Sequence, residues 1–415
     1  MIALLISLLT SPKEPQALQD YLKRPEPSFV WKRVEDVQGM PKIHFTSQRW
    51  QGRVWEHDII IANPAKPLAK GTAVLFITGG QPGADDLLLL KTVTNQSGLP
   101  TAVLFDIPNQ PLWGMSEDDL IAHTFEKYLE TGDATWPLLF PMAKSAIKAM
   151  DAIQAFTKNS DNPITKFVVT GASKRGWTTW FVGASGDKRV KGIAPLVIDN
   201  LNVGAQMKHQ MDSWGKYSEQ IEEYTRRGLQ AKLATPEGQK LAAMVDPFSY
   251  RARFKMPTMI VNGGNDRYWT VDALSLYWDE LKQPKWAVVV PNAGHDLGDQ
   301  QWALRGVTAF ARSCAGLFKM PKFGWEFSED RVWLKDVKPA ASMMRVWSCE
   351  ADSLDFRDSK WSVIAEMRSS DGLGGPMVRF KRSGKNQAVF AELQFKIDGY
   401  AFSLTTPVKV YRAGK

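Results

Sequence analysis

The sequence predicts an α/β protein: a doubly wound, mostly parallel sheet with helices on both faces, a helical cap insertion and a β-sandwich-like C-terminal domain. Three observations predict it. Six continuous apolar runs alternate with helical stretches over the first three quarters of the chain. One connection between two of those runs is far longer than a crossover needs. Beyond about residue 319 the grammar changes to short alternating runs parted by Gly and Ser clusters.

Residues 21–55 are mixed and aromatic, with turn signals at Pro25 and Pro27, and residues 57–62 (HDIIIA) read as a strand. The alternation then begins. Residues 72–78 (TAVLFIT) form the first buried run, ending in Gly79-Gly80, and a helix follows over 85–97. Residues 101–107 (TAVLFDI) form the second, followed by helices over 117–129 and 138–157. The third and fourth runs are 166–170 and 192–198. The fifth, 258–262, precedes a helix over 271–281, and the sixth, 286–291, precedes one over 300–310. Strands buried on both faces read as unbroken apolar runs. Interleaved with helices they make βαβ units, whose site lies at the carboxyl ends of the strands. Residues 200–253 are helical in flavour and predict a cap over those ends. Residues 323–412 contain RVWLKDV, MRVWSCEA, AVFAELQFKI and similar runs, the pattern of a small sandwich. The expected organisation is a signal or tail over 1–20, an α/β domain over 21–318 and a β-rich domain over 319–415.

The chain has 415 residues and a net charge of +8, with basic side chains interleaved among acids, as in Glu219, Glu222 and Glu223 before Arg226 and Arg227. That is a solvated helix face, not the clustered footprint of a nucleic-acid binder. Weak attraction to anionic cell surfaces stays open. The two cysteines, Cys314 and Cys349, match no zinc or redox spacing, and a single disulfide or two buried thiols both fit. Residues 1–9 are almost wholly apolar, like the core of a secretory signal, although short and without a basic start; a buried strand or tail is the other reading. No stretch reaches the roughly 20 apolar residues of a membrane span.

Chemistry concentrates at three strand ends. FVVTGASKRGW places Ser173 between a buried strand and a helix, with Gly171 before it and Gly176 after it. That is the layout of a nucleophile elbow, where a strained turn lifts a hydroxyl above the sheet. The pattern departs from G-x-S-x-G, because Arg175 stands where the second glycine belongs. The fifth run ends in Gly263-Gly264-Asn265-Asp266, and the sixth in Asn292-Ala293-Gly294-His295. Ser173 would attack an acyl carbon, His295 would take and return its proton, and Asp266 would hold the imidazole tautomer. Asp199, after the fourth run, is the rival carboxylate. The Lys174 N–H and that of Gly80 or Gln81 are candidate oxyanion donors. Trp113, Arg175, Trp177, Asp199, Arg267 and Trp269 near the strand ends, with His209 and Trp214 in the cap, are candidate substrate contacts. Packing is the competing reading for each tryptophan.

Segments along most of the chain carry a resemblance: YLKRPEPSFVW from Tyr21, WPLLFPMAKSAIKAMDA from Trp136, TGASKRGW, DNLNVGAQMKHQMDSW from Asp199, NGGNDRYW and NAGHDL. They resemble the PhoPQ-activated pathogenicity-related proteins of bacteria, a group that also includes the autocrine proliferation repressor proteins. Glycine three residues after the serine looks like that family's own elbow and is similar to that of glucuronoyl esterases. The resemblance implies an α/β-hydrolase fold, export to the periplasm or beyond, a link to virulence regulation, and no cofactor.

The expected activity is hydrolysis of a small-molecule or cell-envelope ester, or of an amide, through an acyl-enzyme. The alternative is a secreted binding or signalling protein on the same scaffold. No HExxH or paired-histidine spacing points to a metal, and the Gly79-Gly80 loop lacks the lysine and glycine spacing of nucleotide-binding loops.

Overall fold

The computed structural model describes residues 14–414. The apolar run at 1–9 lies outside them. Residues 17–20, placed with the tail from sequence, belong to the helix Ala17–Lys23, whose Leu18 and Tyr21 are buried.

Six parallel strands form the centre of one large sheet, in the spatial order Thr101–Leu104, Thr72–Ile77, Lys166–Ala172, Val190–Leu196, Thr258–Gly263 and Lys285–Val290. They are the six apolar runs. The strand Thr72–Ile77 is buried at every position, as a strand covered on both faces must be. Helices Leu139–Thr157 and Lys174–Ala184 contribute to one core cluster. Helices Ala84–Ser97 and Gln300–Cys314 contribute to the other.

Two regions extend the sheet with antiparallel strands. At one edge Val30–Val37, Met40–Trp50 and Arg53–Ala62 form a meander pairing onto Thr101–Leu104. Its outermost strand is largely exposed, which hides the alternation that would have marked it in sequence. At the other edge Tyr400–Thr405 pairs with Lys285–Val290 through Thr405 and Ala287. The sheet then continues through Asn386–Ile397, Ala341–Ala351 and Ser362–Leu373. A separate three-stranded sheet, Lys322–Phe327, Arg331–Lys338 and Met377–Arg379, covers this extension, with Val332, Leu334 and Val378 in one core with Val389 and Leu393. The C-terminal strands thus make a sandwich-like unit sharing its hydrogen-bonded sheet with the α/β core.

The helix expected over 271–281 is instead two 3-10 turns, Ala273–Leu276 and Trp278–Glu280. Tyr277 breaks it at φ −144°, turning its hydroxyl inward onto the buried Asp199 carboxylate. That buried bond overrides local helical periodicity. Residues 200–253 hold helices Val203–Trp214, Glu222–Thr225, Leu229–Lys232 and Pro236–Val245. Arg227, bonded to Asp119 and Glu126, and Tyr224, bonded to Asp118, tie this segment to the helix Glu117–Thr131. Among the described residues no helix is long and apolar enough to cross a membrane, and no cluster of three metal-ligating side chains occurs.

Candidate active site

The strand Lys166–Ala172 turns into the helix Lys174–Ala184 through Ser173, which sits at φ +56° and ψ −124°. A serine there is strained, and such strain persists only when its surroundings over-determine it. The flanking glycines answer a steric need. A Cβ on Gly171 would meet the Arg175 carbonyl oxygen at 2.8 Å, and one on Gly176 would meet Ile198 Cγ2 at 2.6 Å and the Leu196 oxygen at 2.8 Å. The second glycine therefore falls where the helix crosses the neighbouring strand, one residue later than in the standard elbow.

Arg175 explains the other half of that departure. Its side chain is buried. Nε donates to the Ile107 carbonyl at 2.6 Å, Nη1 to Glu117 Oε2 at 2.7 Å and Nη2 to Glu117 Oε1 at 2.6 Å. The guanidinium fills the place of a Gly79 side chain, since a Cβ there would lie 1.5 Å from Nη2. Burial opposes the Glu117 charge, but Arg175 and Lys174 outweigh it and hold the carboxyl down at about 2.

Three side chains meet above the strand ends. His295 Nε2 lies 2.8 Å from Ser173 Oγ, and His295 Nδ1 lies 2.8 Å from Asp266 Oδ2. Asp266 is buried, and its other oxygen accepts the Tyr268 backbone N–H at 2.9 Å. The carboxylate and imidazole loops touch directly: Asn265 N donates to the Ala293 oxygen at 2.9 Å, and a Cβ on Gly263 would strike the Gly294 oxygen at 2.2 Å. The Tyr268 ring lies against the His295 ring, with centroids 4.2 Å apart. Asp199, the rival carboxylate, bonds Tyr277 and not the imidazole. It shares a small cavity with Asp266, and burial, reinforced by the nearby Asp266 charge, pushes it up to about 7.

Ser173 and His295 line a cleft, partly open to solvent, between the sheet and the cap. Its wall is mainly apolar, with Trp177, Trp269, Leu229 and Leu241 among its residues. Lys174 also lines it, its Nζ 2.8 Å from Asp118 Oδ2 and 3.1 Å from Glu117 Oε2. Tyr224 donates to Asp118 Oδ1 at 2.9 Å.

Of the candidates from sequence, Ser173, Lys174, Trp177, Trp269 and His295 border this cleft. Gly80 and Gln81 do not. The Gly80 oxygen accepts the Asp106 N–H, and the Gln81 amide bonds the Asp106 carboxylate. Arg175 is turned to Glu117 and does not line the cleft. Trp113 stacks edge-on against Trp50 and lies beneath Arg53. His209 Nε2 lies 2.7 Å from Asp272 Oδ1, a bond that raises its pKa despite burial. Trp214 carries the Arg357 guanidinium 4.1 Å from its ring centroid, and Arg267 pairs with Glu219 and Asp358. Trp113, His209, Trp214 and Arg267 pack or pair outside the cleft, and Trp214 joins Asp199, Asp266 and Trp269 in the smaller cavity. Sequence reasoning missed Tyr268, Tyr224 and Asp118. Tyr268 stood inside the NGGNDRYW segment beside the chosen carboxylate. Nothing local marked the other two, which come from distant helices.

Comparison with known proteins agrees with this architecture. The family model described as "PhoPQ-activated pathogenicity-related protein" matches residues 18–357. Autocrine proliferation repressor protein A of Dictyostelium discoideum is 34% identical over 392 residues, covering 88% of this chain and 77% of its own length. Among solved structures, the acetyl xylan esterase from Paenibacillus sp. R4 superposes with a TM-score of 0.52 at 13% identity, covering 72% of this chain and 96% of its own. Acetyl xylan esterase 1 from Thermoanaerobacterium sp. JW/SL YS485 gives 0.50 at 15% identity, with 72% and 95% covered. At such identities the likeness shows the fold, which is that of the α/β-hydrolases. With its matched model spanning most of the chain and a relative aligned along nearly all of it, this protein belongs to the PhoPQ-activated pathogenicity-related family.

Proposed function

We propose that this protein is a serine hydrolase acting on a carboxylic ester through an acyl-enzyme, with Ser173, His295 and Asp266 as its catalytic residues. The observation that carries the reading is the unbroken chain from Ser173 Oγ through both imidazole nitrogens to the buried Asp266 carboxylate, opening into a cleft. His295 takes the Ser173 proton as Oγ bonds to the acyl carbon, and Asp266 stabilises the imidazolium. The Lys174 N–H, at the start of the helix after the elbow, receives the developing oxyanion, and the helix dipole adds to it. His295 then protonates the departing alkoxide. A water attacks the acyl carbon in the second half, its proton passing through His295, and the acid leaves as Ser173 is restored.

An ester fits better than a peptide because the wall of the cleft is mainly apolar and its Lys174 ammonium is already held by Asp118 and Glu117. Export of the protein belongs to the same reading, following the apolar start of the sequence. A second reading, a secreted signalling protein in which the three residues do no chemistry, is favoured by the name of the Dictyostelium relative.

A fluorophosphonate probe separates the two. Labelling of the wild type that vanishes in Ser173→Ala, with short aryl esters hydrolysed only by the wild type, is expected. Folded wild-type protein that neither labels nor turns over aryl esters, acetylated sugars or peptides overturns the hydrolase reading in favour of the second.

A further inference from the structure

We infer that the cleft above Ser173 is a pocket for an extended apolar acyl chain, so that the substrates are esters of medium- or long-chain acids rather than acetates. The inference rests on the serine-hydrolase reading for its chemistry, but not for its binding. Three observations carry it.

The first is composition. Ile198, Met207, Leu229, Leu233, Leu241 and Val245 all face the space that Ser173 opens into. Apolar surface gathered around a cleft gains free energy when an apolar group displaces its water. An acetyl group would leave most of that wall wet.

The second is origin. Five of these six side chains come from the cap, Met207, Leu229, Leu233, Leu241 and Val245, on helices Val203–Trp214, Leu229–Lys232 and Pro236–Val245 and just after the second of them. The cap therefore presents an apolar underside to the nucleophile. Its outer surface bears Lys208, Asp212, Glu222 and Lys240, none of which lines the cleft.

The third is placement along the reaction. Lys174 and Trp177, on the helix that Ser173 begins, both border the cleft. The Trp177 indole is fixed by its N–H donating to the Val245 oxygen at 2.8 Å, which joins the nucleophile helix to the cap across the pocket. The acyl group is the part that stays bonded to Ser173 Oγ between the two halves of the reaction. A wall continuous with the nucleophile's own helix and closed by the cap serves that part, while the alcohol leaves.

The test uses the full-length protein and p-nitrophenyl esters from acetate to decanoate. The kcat/KM should climb by about fourfold per methylene over the first several carbons, the gain expected from burying each one. Ala242→Phe places a ring in the cleft from a helix position that removes no packing. It should lower the octanoate-to-acetate ratio of kcat/KM at least tenfold. Fluorophosphonate labelling of the variant at Ser173 checks that it is folded and armed. Binding is read separately on Ser173→Ala, by quenching of tryptophan fluorescence with sodium octanoate against sodium acetate. Octanoate should quench and acetate should not. Acetate preferred over octanoate in turnover, or equal failure of both to bind Ser173→Ala, overturns the acyl pocket even if the protein is a hydrolase. Octanoate binding without labelling or turnover keeps the pocket and sinks the hydrolase reading alone.

Discussion

Removing the Arg175 guanidinium should loosen the elbow, and Gly79 provides a way to prove the cause. In Arg175→Ala the Glu117 carboxylate loses both of its guanidinium bonds, at 2.6 and 2.7 Å, and the Ile107 carbonyl loses its donor. Breaking one partner from a buried ion pair costs about 3–5 kcal/mol. Glu117 is 40% exposed, so water recovers part of that, and about 2–3 kcal/mol is expected. Gly79→Ala places a methyl 1.5 Å from Nη2. The tip of a long side chain can usually step aside at little cost, but this one leaves three hydrogen bonds when it moves. Gly79→Ala alone should therefore cost about the same 2–3 kcal/mol. With Arg175 already truncated the methyl occupies vacated space, and the second change should cost under about 0.5 kcal/mol, a coupling of about 2 kcal/mol. Urea unfolding of the four proteins measures this as shifts in midpoint at constant slope. Esterase turnover should follow, since Arg175 is two residues from Ser173. Additive losses, or a stable and fully active Arg175→Ala, would show that the guanidinium does not set the elbow.

Three other expectations follow from the same geometry. The Asp199 carboxyl is raised from 3.8 to about 7 by burial, so the native state keeps a proton that the unfolded chain releases. Its contribution to stability is present below about pH 4 and lost as pH rises through 7. Asp199→Asn, scanned by thermal unfolding from pH 5 to 8.5, should gain on the wild type as pH rises, and parallel curves would contradict this. Tyr268→Ala should lower kcat roughly ten- to a hundredfold by freeing the His295 ring, while Tyr268→Phe keeps the stacking and stays near wild type; equal loss in both would assign the role to the hydroxyl instead. Cys314 and Cys349 are both free, and burial pushes the Cys314 thiol up to about 12. Neither should react with a thiol reagent in the native protein, and both should react in denaturant; an unreactive denatured chain would reveal a disulfide.

The parallel core was legible because its strands are largely buried on both faces and most are separated by helices of ordinary length. The Ser173, Asp266 and His295 positions were legible for a related reason: each follows such a strand within a few residues, through glycines that close approach requires. What sequence did not show depends on pairing between distant residues. The Val30–Val37 strand carries a polar, exposed pattern that marks no face. Tyr277 leaves its expected helix for a buried partner 78 residues away. Arg175 read as a substrate contact because it nearly adjoins the serine, yet its guanidinium is taken up by Glu117 and the Ile107 carbonyl. Gly80 and Gln81 read as oxyanion donors through their backbone N–H groups; it is the Gly80 oxygen and the Gln81 side-chain amide that bond to Asp106, which leaves those N–H groups as candidates. Tryptophans gave little discrimination: Trp177 and Trp269 border the cleft, while Trp113 packs in an aromatic cluster with Trp50 and Trp136.

The extended sheet makes the last quarter of the chain a scaffold for chemistry it does not perform. The Asn265 amide donates to the carbonyls of Phe356, Arg357 and Ser359, the Trp361 indole donates to the Gly264 oxygen, and Asn292 exchanges two bonds with the Trp361 backbone. The loops bearing the carboxylate and the imidazole are thus braced by one short stretch, residues 356–361, while the serine depends only on the α/β core. Cutting the chain near residue 319 would leave the Asp266 and His295 loops without that brace and bare the edge of Lys285–Val290 to pairing with other molecules. A substitution such as Trp361→Ala, remote from Ser173 in sequence, belongs among the first places to look when an intact serine is found inert.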